Sequence, residues 1–84
     1  MMNKDNVLFH LREAAEELTR TIAEIEQDTE YDAPEFSVAM QHLYHHLNTA
    51  WNTRAVALER LEKASDQDFN AWCGYPKDLP LLEV

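Results

Sequence analysis

The chain carries four histidines, and three of them, His42, His45 and His46, fall within five consecutive residues. His42 and His46 stand four apart, so on a helix they share a face, a spacing that can chelate a metal such as Zn²⁺. These two are the expected metal ligands. The surrounding motif is incomplete. There is no glutamate next to the first histidine, as in His-Glu-x-x-His hydrolases, and no Glu-x-x-His of the di-iron bundles. A third ligand would come from Glu16 or Glu17, or from a second chain. Without a metal, imidazoles that titrate near neutrality make a pH-responsive surface.

The same region has a second property. From Phe36 to Thr53 the chain contains no Asp, Glu, Lys or Arg, although the whole protein has a net charge of −9. A solvated helix face ordinarily carries charge, whereas a face of His, Asn, Gln and Thr suits a polar interface or a neighbouring helix. The expected interface residues are Gln41, His42, His45, His46, Asn48, Thr49, Asn52 and Thr53. Just beyond them stands Arg54, which the helical period puts amid the apolar positions. A guanidinium there needs a carboxylate, or it lays its stem on the core and turns its head outward. The expectation is a structural ion pair tying the C-terminal region to the helices. Asp5, the acidic tail residues and the carboxylate of Val84 are the candidates. Asn48, Trp51, Asn52 and Arg54 are also suited to line a small polar pocket.

No catalytic group is expected. The lone cysteine, Cys73, has no base close in sequence and reads as a half-buried structural thiol. Carboxylates are plentiful but lie on solvated positions, and no nucleophile, base and oxyanion donor can be assembled. The reading is therefore not an enzyme, and no cofactor is implied.

Placing these residues requires the elements. With one glycine and three prolines in 84 residues, turns are scarce and elements must be few and long. That favours helices over a β fold with its frequent turns. The spacing of Val7, Leu8, Leu11, Ala14, Ala15, Leu18, Ile22 and Ile25 predicts a helix over about 5–28, capped by Asn3 or Asp5. Its opposite face carries Arg12, Glu13, Glu16, Arg20 and Glu24, with a Glu16–Arg20 pair. Asp32-Ala33-Pro34-Glu35 is a strong start signal: a capping carboxylate, a proline in the first turn and an acid three residues on. It predicts a second helix over about 33–64, with Phe36, Met40, Leu43, Leu47, Ala50, Trp51, Leu58 and Leu61 as its apolar face. The short link turns it back along the first, pairing Ile25 with Phe36 and Leu18 with Leu43, and its far end overhangs. Ser65 to Asp68 caps a short third helix over 66–73. Gly74 is placed for a left-handed helix stop, and Pro76 and Pro80 hold an apolar tail, 75–84, extended. That tail, with Phe69 and Trp72, is expected to cover the overhang and the start of the first helix.

The expected fold is thus all-α: one domain over 1–84, an antiparallel two-helix hairpin with a short third helix and a packed tail. A lone hairpin has little core, so dimerisation into a four-helix arrangement is expected. Acidity disfavours nucleic acid. No apolar run is long enough for a membrane, Met1 to His10 lack the core of a signal peptide, and an unpaired cysteine suits a cytoplasmic setting. The leading functional expectation is a small protein–protein interaction or structural protein, with itself or another protein as partner. The alternatives are a metal-binding helical protein using His42 and His46, and an acidic binder of a basic partner.

Overall fold

The computed structural model describes residues 1–80 and Leu82. It is all-helical among these residues: α1 (Lys4–Gln27), α2 (Ala33–Asn52), α3 (Leu58–Glu62) and α4 (Asp66–Trp72). α1 and α2 pack side by side as a hairpin, and α4 lies against α2. The molecule measures 45 × 32 × 23 Å.

Local chemistry explains the helix starts. Asn3 caps α1, its side-chain oxygen accepting from the N–H of Asn6 at 3.3 Å. In the turn, the Asp28 carboxylate accepts from the N–H of Glu30 at 2.9 Å. Asp32 caps α2 by accepting from the N–H of Glu35 at 3.0 Å, with Pro34 in the first turn. Burial, then the neighbouring Asp32 and Asp28 carboxylates, raise the pKa of Glu35 there. A complete capping box is at α4. Ser65 accepts from the N–H of Asp68, and Asp68 accepts from the N–H of Ser65 at 2.9 Å.

The second helix is shorter than its sequence pattern predicts. It stops at Asn52 instead of running to about residue 64, and α3 is a separate short helix after a turn. Polar competition for the backbone accompanies this break. The Thr53 hydroxyl donates to the carbonyl of Thr49 at 2.6 Å, and the Arg54 guanidinium donates to the carbonyl of Trp51 at 2.8 Å. The start of α1 engages the segment beyond the break. Asn3 N–H donates to the carbonyl of Arg54 at 2.6 Å, and its side chain donates to that of Val56 at 3.2 Å. The carbonyls that would have carried the helix onward are thereby held, and α2 ends up shorter than α1.

Two smaller expectations also change. Gly74 is not left-handed, as no described glycine has a positive φ. Arg20 pairs with Glu17, one turn back, and not with Glu16.

The largest difference concerns the core. The buried residues of the hairpin are Ala14, Glu17 and Thr21 of α1 and Ala39, Asn48, Thr49 and Ala50 of α2, with Asn48 turned to the end of α4. Among the described residues the buried apolar side chains are three alanines and Pro76. Small residues let the helices approach closely, but they leave the large aliphatic stripe beside the seam, not in it. A compact monomer of 9.8 kDa would expose about 5,200 Å², whereas this chain exposes 6720 Å².

Candidate functional site

The open stripe is the dominant surface feature. Leu11, Leu18, Ile22 and Ile25 of α1 are 43–49% exposed, and Phe36 and Leu47 of α2 are 45% and 39% exposed. By the helical period the stripe on each helix lies roughly a quarter turn from the seam. Because the helices run antiparallel, both stripes turn to the same side of the hairpin. One end forms a groove of about 330 Å³ whose lining includes Val7, Leu11, Leu47 and Trp51, with Leu79 of the tail at its edge. The tail thus reaches the start of α1, as expected, while Phe69 remains 53% exposed. Leu81 and the Val84 carboxylate, expected to dock or to pair, lie outside the described residues.

The uncharged stretch of α2 divides into two parts. Gln41, His42 and His45 are exposed and His46 is half-buried. Asn48, Thr49 and Thr53 are buried within the chain itself. The sequence pattern puts them and the half-buried Asn52 at an outer interface, yet the chain uses them internally. Asn48 donates to the carbonyl of Cys73 at 2.9 Å, and Asn52 donates to those of Trp72 and Gly74 at 2.7 and 2.8 Å. These bonds satisfy carbonyls at the end of α4 that have no helical partner. Thr53 is fully buried and its hydroxyl accepts from the Asn6 side chain at 2.7 Å. The missing charge in this stretch reflects internal duty at one end of α2 and open polar surface at the other.

Arg54 pairs with Asp78 of the tail at 3.1 Å, and its guanidinium lies 3.8 Å from the centre of the Trp51 ring. The Trp51 indole N–H donates to the same carboxylate at 2.8 Å. These donors hold the Asp78 carboxyl below the usual carboxylate range, the Trp51 bond first and the Arg54 bond second. Trp51, Arg54 and Asp78 therefore form a clamp at the end of α2, and the polar corner around Asn48 and Asn52 is occupied by the end of α4.

The histidines are arranged differently from their spacing. His46 turns toward α1, where its Nδ1 lies 3.1 Å from Nδ1 of His10. His42 faces Glu17, with 3.8 Å between Nδ1 and the carboxylate. His42 and His46 thus each face a group of α1, and no group of three or more metal-ligating side chains is assembled among the described residues. His45 stacks edge-on against His46. Burial, then the neighbouring imidazoles, lower the pKa of His10. Burial, then His45, lower that of His46, against the opposing pull of Glu13. Both rings are thus biased to the neutral form. His10 is the residue that spacing does not single out, because its partner comes from the other helix.

Cys73 is half-buried, its thiol donating to the carbonyl of Asn70 at 3.4 Å. No described helix is long and apolar enough to cross a membrane. Comparison with protein-family models, with curated proteins and with solved structures found no match.

Proposed function

We propose that this chain is a protein–protein interaction module that pairs with a second copy of itself through its open apolar face, giving a four-helix arrangement. The observation that carries this reading is the stripe of large aliphatic side chains left beside an alanine-lined seam. Contiguous exposed apolar surface of this kind marks an interaction site. The exposed area exceeds that of a compact monomer by roughly 1,500 Å². A standard stable interface removes about 800 Å² from each partner.

Two features favour a second copy as the occupant. The flank of the face along α2 carries Ser37 and Tyr44 and no charge, so two acidic chains can meet there without repulsion. Along α1, the helical period puts Lys4 beside the face at one end and Glu26 at the other. A two-fold axis across the face brings each basic end against the partner's acidic end.

Light scattering on a sizing column tests the reading. The expected result is a dimer at tens of micromolar that Leu18→Glu converts to a monomer. A wild-type monomer that unfolds cooperatively at that concentration sinks the proposal.

A further inference from the structure

We propose that His10 and His46 are a two-imidazole clamp for a divalent transition-metal ion such as Zn²⁺ or Ni²⁺, joining α1 to α2 across the seam. The carrying observation is geometric: Nδ1 of His10 and Nδ1 of His46 point at each other at 3.1 Å. Two imidazole nitrogens each about 2.0–2.1 Å from a metal lie about 3.3 Å apart in a tetrahedral site and about 3.0 Å apart in cis positions of an octahedral one. The spacing in the protein falls between those values. An ion can enter once the Nδ1 proton between the rings moves to Nε2 of its own ring and both rings turn so that their Nδ1 lone pairs meet at a point off the line between them.

The donor type and surroundings agree. Imidazole suits Zn²⁺, Ni²⁺ and Cu²⁺ and binds in its neutral form. Both rings sit half-buried at the seam, where the charged form is disfavoured. Each histidine lies well inside its helix, so the backbone fixes its position. Glu13, three residues after His10 on the same helix, and Glu17, facing His42, supply negative charge nearby. No third protein ligand is in place among the described residues, so water completes the shell unless Glu13 swings in. Neither the spacing of His42 and His46 nor the dimer is needed for this site.

The test uses the full chain without an affinity tag, titrated with ZnCl₂ or NiCl₂. Expected results are one ion bound per chain by calorimetry and a melting temperature that rises with metal concentration. NMR shifts should centre on the His10 and His46 ring protons. His10→Gln and His46→Gln, with helicity checked by circular dichroism, should each abolish the thermal shift, whereas His42→Gln retains it. No binding to the wild type overturns the proposal. So does binding that survives His10→Gln, or binding lost with His42→Gln while His10→Gln has no effect. Oligomeric state measured on the same samples separates this outcome from failure of the dimer reading.

Discussion

At the scale of single residues, Thr53 and Gly74 invert the usual expectations for their types. Threonine at a helix end is ordinarily a surface residue, yet Thr53 is fully buried with its hydroxyl bonded to both Thr49 and Asn6. Thr53→Val keeps the shape but leaves the Asn6 amide without its acceptor. It should cost about 1–3 kcal/mol, read as a lower urea midpoint with an unchanged slope, while Thr53→Ser recovers most of it. Gly74 needs neither a left-handed backbone nor empty space. An added Cβ would meet Ala71 at 3.6 Å, an ordinary contact. Gly74→Ala should therefore be neutral or stabilising by about 0.4–1 kcal/mol, through the lower entropy of the unfolded chain. A loss of more than about 1 kcal/mol in thermal or urea melts would contradict this. The sequence marks Gly74 as special by its uniqueness, but uniqueness does not determine a dihedral angle.

At the scale of elements, the helix starts were legible because their causes are local. Asn3, Asp32 and Ser65 each bond to an N–H three residues on. The end of α2 was not legible, because Asn3 and Asn6, about fifty residues distant in the chain, hold the Arg54 and Val56 carbonyls and the Thr53 hydroxyl just beyond it. The histidines show the same division. His46 stands out by spacing, but its partner His10 is found only once the helices are in register. Arg54 was recognisable as needing a carboxylate, and the tail supplied it. Two acids pin the C-terminal elements. Asp78 accepts from Trp51 and Arg54, and Asp68 accepts from Arg60 at 2.6 Å and from Ser65. Both carboxyl pKa values are lowered, that of Asp68 mainly by its Arg60 bond. A group with a depressed folded pKa binds fewer protons folded than unfolded, so its stabilisation is present above the unfolded pKa of about 3.9. It is lost as pH falls through the folded value. Acid titration should thus release the tail below about pH 4, seen as a change in Trp51 fluorescence. In Asp78→Asn the Trp51 step at that pH should vanish.

At the scale of the whole molecule, the sequence pattern correctly identifies two amphipathic helices but not which residues meet. The period locates the aliphatic stripe and leaves open whether it faces the sister helix or a separate chain. Here the sister helix took the alanines and the small polar residues, so folding of one copy leaves its largest aliphatic side chains partly wet. Stability should then depend on concentration, since association stabilises only the folded form. The melting temperature should rise by several degrees from about 1 to 100 µM, and Leu18→Glu should flatten that dependence. An unchanged melting temperature across this range would mean that the hairpin stands alone.

The bonds from Asn3 across to Arg54 and Val56 also impose an order on assembly. The turn at Asp28 brings the helices together at the cost of a short loop, and pairing can then zip outward a turn at a time. The Asn3 clasp sits at the far end of that zipper. Its amide, donated to the Arg54 carbonyl at 2.6 Å, gains this bond only in a molecule that has closed along its whole length. Hydrogen exchange at Asn3 therefore serves as a gauge of complete closure, and it should be the first amide of the hairpin to lose protection when the open end frays.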